Sequence, residues 1–273
     1  MKIAPRRVLP PAALLMAGLL HGTPAQAQEG LIAPGTETWK FGLGGVLNEG
    51  STRLRLDSPS GRSGEVNLED VTGLNRNKSS IFVLATWRFA ANHRIGIQGF
   101  EVKRDADKVI ERDIEFRDQV IHAGTRLHTE AKTDFFVVNY QYSFIRNESL
   151  EFAGIAGLYG AHFKFGFNAS NPPTDVQAST NAPLPMLGLG LDWFVTPRWT
   201  VSLLGEGLAV KVGDVDGRTY NGALTTDYMV TRNIGLGLGL AAVNLKVDVT
   251  KNDFTGRVGW RMSSFFGYLQ ARF

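Results

Sequence analysis

The chain has 273 residues, 43% of them hydrophobic and 31 of them glycine, yet no run approaches the ~20 consecutive apolar residues that a membrane-spanning helix requires, which excludes a helical membrane protein. The absence of cysteine excludes disulfides, thiolate catalysis and cysteine-bound metal. The formal net charge of +3 has a local origin: residues 1–27 take three of the 29 basic residues and none of the 26 acidic ones, leaving 26 of each, so the remainder has no electrostatic reason to bind nucleic acid.

Residues 1–27 read as a secretory signal peptide. Lys2, Arg6 and Arg7 form a basic start, Val8 to Leu20 an apolar core, and Ala25-Gln26-Ala27 a small-residue cleavage site before Gln28. Residues 28–38 are a polar lead-in carrying Pro34 and Gly35. Side chains then begin to alternate, and a period of two places successive residues on opposite faces of a strand. The first strand sets Trp39, Phe41, Leu43, Gly45 and Leu47 against Lys40, Gly42 and Gly44. Segment 57–77 reads as a loop in which residues 66–71 form one helical turn or a strand extension.

The second strand, about 79–89, carries Ile81, Val83, Ala85, Trp87 and Phe89 on its outward face, with Phe82, Leu84, Thr86 and Arg88 on the other. After a tight turn at 90–93, the third sets Ile95 and Ile97 outward and Gln98 inward. Phe100 and Val102 fall on the opposite parity, which predicts a bulge or a change of environment. Residues 103–132 are the most charged stretch and form an exposed loop or projecting strand ends. The fourth strand is the clearest, with Phe136, Val138, Tyr140, Tyr142 and Phe144 against Val137, Asn139, Gln141 and Ser143.

The fifth strand, about 150–167, is read with Tyr159, Phe163, Phe165 and Phe167 outward and His162 and Lys164 inward, followed by a long loop over 168–183 with three prolines. The sixth presents Leu187, Leu189, Leu191, Trp193 and Val195 against Asp192, and the seventh Trp199, Val201 and Leu203 against Glu206. The eighth sets Tyr220, Leu224, Tyr228 and Val230 against Asn221, Thr225 and Asp227, and the ninth Ile234, Leu236, Leu238 and Leu240 against three glycines. The tenth alternates Phe265, Gly267, Leu269, Ala271 and Phe273 with Phe266, Tyr268, Gln270 and Arg272. Short connections at 90–93, 146–149, 196–198 and 231–233 alternate with longer ones. The count is ten strands, with eight or twelve as alternatives.

The alternating strands, the run Tyr140-Gln141-Tyr142-Ser143-Phe144, the run from Leu184 to Leu189 and the terminal aromatic strand resemble those of proteobacterial outer-membrane β-barrel proteins. The resemblance implies an all-β fold, a transmembrane antiparallel up-and-down β-barrel over 39–273, with 28–38 on the periplasmic side. It implies residence in the cell outer membrane. It also implies partners: outer-membrane lipids including lipopolysaccharide, periplasmic chaperones, and a barrel-insertion machinery that reads Phe265, Leu269 and Phe273. It carries over no catalytic residue.

The search for chemistry assigns no catalytic, cofactor or metal site. His93 reads as a solvated turn residue, His122 and His128 as part of a wet charged surface near Asp118, Glu130 and Asp134, and His162 as a hydrogen-bonded lumen residue. Gly42-Leu43-Gly44-Gly45 and Gly235 to Gly239 are strand residues with no helix after them, so they are not phosphate loops. The inward faces carry Lys40, Arg88, Lys164 and Lys246 against Asp192, Glu206, Asp227 and Asp248. Lys40, Arg88, Asp192, Glu206 and Asp227 are expected to form ion pairs that plug the lumen. The leading functional expectation is a structural or surface-interaction role carried by the outer loops. The alternatives are a narrow channel for small solutes or hydrophobic compounds, and an enzyme at the outer rim.

Overall fold

A computed structural model describes residues 30–273 except 58–62, 112, 117–118, 171–172, 213–214 and 252–253. The cleavage site at Ala25, Ala27 and Gln28 lies outside the described residues. In chain order the elements are β1 (Trp39–Asp57), β2 (Ser63–Asn67), α1 (Leu68–Thr72), β3 (Asn77–Ala90), β4 (His93–Val109), β5 (Ile114–Phe116), β6 (Gln119–Ile121), β7 (Arg126–Arg146), β8 (Leu150–Ser170), β9 (Pro173–Phe194), β10 (Trp199–Val212), β11 (Val215–Met229), β12 (Ile234–Lys251) and β13 (Phe254–Arg272). Ten of the strands form one antiparallel meander in sequence order, closed by β13 on β1. Strand β2 folds back on β1, and β5 with β6 makes a separate small hairpin. The fold is the closed ten-stranded up-and-down barrel.

Closure runs from Lys40↔Arg272 to Asp57↔Thr255. At one end the Phe273 carbonyl accepts from the amides of Thr38 (2.7 Å) and Trp39 (3.0 Å), and the Phe273 amide donates to Trp39 (2.9 Å). This end also holds the four short connections. One is an Asx turn, in which the Asn147 side chain accepts from the amides of Ser149 and Leu150. We call it the turn end, and the other the distal end.

Outward rows are apolar because nothing else covers them. Leu43, Ile81, Phe136, Leu187, Leu203, Tyr220, Leu236 and Leu269 are all exposed large hydrophobics. From Phe273 to Phe265 the apolar row of β13 spans eight residues, about 27 Å along the strand, or roughly 20 Å of height at the 35–45° tilt usual for barrel strands. Aromatic rings gather at the turn end of this belt. Trp39 stacks on Phe41 and Trp87, each at 5.5 Å, and His93 bonds the Tyr140 hydroxyl at 2.6 Å. His93 is therefore the first residue of β4, seated in the aromatic ring rather than in a solvated turn.

Several expectations are corrected. No bulge occurs near Phe100: β4 pairs with β7 without interruption from His93↔Tyr142 to Val109↔Arg126. The change there is one of environment, since the inward row turns from Arg94 and Gln98 to apolar Phe100 and Val102 while the outward row turns from Ile95 and Ile97 to Glu101 and Lys103. The register shifts lie at Arg88/Ala90 and Ser143/Ile145, beside the short turns. On β8 the predicted faces are reversed. Tyr159 and Phe163 point into the lumen with Ile155 and Ala161, whereas His162 and Lys164, both expected in the lumen, are on the outward row with Leu158. Lys246 and Asp248 of β12 likewise share the outward row of Leu236 and Leu240.

Residues 168–183 are mostly strand, not loop. Strands β8 and β9 pair out to Ser170↔Pro173, whereas β9 and β10 pair only from Phe194 to Leu187. The distal half of β9 thus borders no β10 ladder, and Pro173, Pro183 and Pro185 remove no bond from one. The charged stretch 103–132 takes the form of projecting strand ends, β4 and β7 continuing far beyond the apolar belt. Between β1 and β3 the chain adds β2 and then α1. Asn67 caps α1 by accepting from the amides of Glu69 and Asp70, and Gly73 ends it at φ +77°, a left-handed conformation suited to glycine.

Candidate functional site

The site is the barrel interior, built in layers along the inward rows. At the turn end lies a polar floor. The Glu151 carboxylate of β8 is fully buried and takes both guanidinium arms of Arg88, at 3.0 and 2.8 Å. Ser143 donates to the same carboxylate, and the Arg94 Nε stands 3.7 Å away. Arg94 donates to Asp192 at 3.0 Å. Across the lumen, Lys40 donates to Asp227 at 2.6 Å, and the Tyr268 hydroxyl donates to the second oxygen of that carboxylate at 2.5 Å. Charges so removed from water are tolerable only when paired and hydrogen-bonded. The lead-in helps to seal this layer, since Gly35 packs on Phe194 and Glu151 and its carbonyl accepts from Arg146 at 2.8 Å.

The five charges singled out from sequence divide unequally. Lys40 and Asp227 meet each other directly. Arg88 and Asp192 each have a partner that sequence reading passed over, Glu151 and Arg94 respectively. Glu206 pairs with no cation among its described contacts: Tyr159 and Asn221 donate to one of its oxygens, the latter at 3.0 Å. Glu151 was hidden by the reversed parity of its strand. Arg94 shares the parity of Gln98 and was legible as inward on that ground.

Above the floor the interior becomes apolar. A cavity of about 340 Å³ occupies the lumen. Its wall carries a stack in which Phe135 lies between Phe100 (4.6 Å) and Trp260 (5.3 Å), with Phe163 edge-on to both Phe135 and Trp260. On another side Phe82 meets Phe266 (5.4 Å) and Tyr268 (5.7 Å) edge-on. Glycines on β12 make room for these rings. A Cβ at Gly237 would stand 2.1 Å from the Tyr268 ring, and one at Gly239 would stand 2.3 Å from Phe266. Toward the distal end, α1 is tied to the barrel wall. Buried Glu69 accepts from the Thr52 amide and from Arg104, both at 2.8 Å.

The distal strand ends carry charge on their outer faces. Lys132 bridges Glu101 (2.6 Å) and Asp134 (3.3 Å), and His128 sits between Asp107 (3.1 Å) and Glu130 (3.4 Å). Hydrogen bonding to Asp107, then to Glu130, raises the His128 pKa above its ordinary value. His122 contacts Asp113 at 3.4 Å and is exposed. Among the described residues no group of three or more His, Asp or Glu is placed to hold a metal ion.

No protein-family model matches the chain, and no curated protein sequence matches it. Solved structures do. The outer membrane protease OmpT from Escherichia coli superposes with a TM-score of 0.53 at 13% identity, covering 90% of this chain and 99% of that one. The P. putida toluene transporter TodX gives 0.35 at 9% identity, covering 89% and 93%. OprG from Pseudomonas aeruginosa gives 0.35 at 11% identity, covering 87% and 97%. The likeness to OmpT is one of fold alone, and the two weaker likenesses carry no argument. The fold is shared with outer-membrane β-barrel proteins.

Proposed function

We propose that the protein is an outer-membrane barrel, its turn end in the periplasm, whose lumen is a binding chamber for one small apolar molecule. The observation that carries this reading is the aromatic-walled cavity of about 340 Å³ over a floor of paired charges. Its size falls in the range of small-ligand sites, which are mostly apolar with a few fixed polar groups. The floor argues against bulk flow of ions. Titrating the purified barrel with a hydrophobic fluorescent naphthylamine should give saturable binding, read by energy transfer from Trp260 in the wall. Replacing Ala223, which lines the cavity, with Phe should weaken it. Unsaturable partitioning equal in both proteins would end this reading.

A second reading, a surface-interaction role, is supported by the charged outer faces of β4 and β7 beyond the belt. It requires a partner that binds the intact cell surface and is lost when residues 103–108 and 127–132 are neutralised.

A further inference from the structure

The base of the lumen holds one cation that its acids do not bond. Arg272 of β13 stands directly across the closing ladder from Lys40, and both side chains line the cavity. Cβ atoms so paired are about 5 Å apart, and like charges at that spacing lower stability. Lys40 is met by one oxygen of Asp227, and Tyr268 donates to the other. Asp192 is held by Arg94 and Glu151 by Arg88. Arg272 is only 5% exposed, its Nε has no hydrogen-bond partner, and it makes no ion pair among the described residues. Glu37 of the lead-in acts on it through space without bonding it, and one oxygen of Glu37 is likewise buried without a partner.

A guanidinium taken out of water is costly unless an anion meets it. Its parallel N–H donors match the two oxygens of a carboxylate. Two residues from Lys40 along β1, Gly42 opposes Leu84, which begins the apolar lining that Phe82 and Phe266 continue. The chamber thus has a cationic base under an apolar body. A ligand that fills both has an anionic head on a hydrocarbon frame. A protonated amine head would instead add a third cation beside Lys40 and Arg272. One unbonded guanidinium calls for one negative charge, which favours a carboxylate over a doubly charged phosphate.

We infer that the ligand of the chamber is an apolar monocarboxylic acid, its carboxylate on Arg272 and its hydrocarbon body against Leu84 and Phe82. The inference rests on the reading of the lumen as a binding chamber. Isothermal titration of the purified barrel in nonionic detergent, at neutral pH, compares 2-naphthoate with its uncharged isostere 2-naphthamide. The parent protein should bind naphthoate about tenfold more tightly than the amide. Arg272→Met should lower naphthoate to the affinity of the amide and leave the amide unchanged, and Arg272→Lys should keep part of the preference. Glu37→Gln removes an acid that opposes an incoming carboxylate, and should bind naphthoate at least as tightly as the parent. Heat-modifiable gel mobility shows which variants are folded, and the comparison of the two probes on the parent needs no variant. Equal binding of acid and amide by the parent would overturn the inference and leave the chamber standing. A preference for the acid that survives in folded Arg272→Met, or weaker acid binding by folded Glu37→Gln, would overturn it too. Saturable binding of neither probe would remove the inference and the chamber together.

Discussion

At the scale of single residues, Glu151 holds the floor together because one carboxylate serves two cations. Its replacement by Ala leaves both Arg88 and Arg94 buried without that partner, and breaking such a pair from one side costs about 3–5 kcal/mol. Arg88→Ala should cost less, since Ser143 still donates to Glu151 and Arg94 stays near it. Denaturant unfolding of the refolded barrel should show that order, and an equal or reversed order would mean the carboxylate is not shared. Glycines offer a matching contrast. Gly237→Ala must displace Tyr268 from Asp227 and should cost about 1–3 kcal/mol, whereas Gly205, with nothing within 4 Å of its Cβ position, should accept Ala within about 0.5 kcal/mol.

At the scale of elements, β7 shows how one strand satisfies three surroundings. Its turn-end half alternates outward-facing, exposed Val138 and Tyr140 with lumen-facing Val137 and Asn139, and its distal half carries charge on its outer face. Val138→Arg should cost about 2–4 kcal/mol if that residue lies near the midplane, and Gln141→Arg, on the inward row, should cost less. Equal losses in unfolding free energy would put both rows in one environment. Farther along, His128 contributes to the β4–β7 extension through its raised pKa. That contribution is complete below the ordinary value of 6.5 and is lost as pH rises through the folded value. Hydrogen exchange in residues 105–109 and 127–131 should therefore quicken from pH 6 to pH 8. In His128→Gln that pH dependence, after correction for intrinsic exchange, should disappear.

At the scale of the whole molecule, ten strands enclose a lumen near the filled limit, since eight leave room only for side chains and porins need 16–18 for a water channel. The floor takes up what space remains at the turn end. In a planar bilayer the unmodified protein should show only small or rare conductance steps. R94A/D192A removes one ion pair from the floor without leaving either charge alone, and should enlarge the steps. Large, steady conductance from the parent protein would show that the floor does not seal. Replacing Phe273 with Ala should lower assembly of the barrel in cells while leaving refolding in detergent nearly unchanged, if the terminal aromatic acts as an insertion signal; equal losses in both would assign it to closure against Trp39 alone.

The sequence by itself determined an antiparallel barrel and the outward rows of most of its strands, with a count of ten that left eight or twelve open until β13 was seen to close on β1. An apolar outer face sets a requirement on every second residue that each strand meets locally, so Ile81, Phe136, Leu187 and Leu236 disclose it without knowledge of any neighbour. Only the tertiary structure decided what on β8 faces the lumen, because an aromatic wall inside and an apolar belt outside select the same side chains, and Tyr159 and Phe163 suit either. Pairing decided the rest. Pro173 and Pro183 of β9 read as loop until β9 is seen to border no β10 ladder there, so that they remove no bond from one. The ion pairs Arg88–Glu151 and Arg94–Asp192 join residues 63 and 98 positions apart, a proximity that depends on strand register and closure rather than on any local pattern.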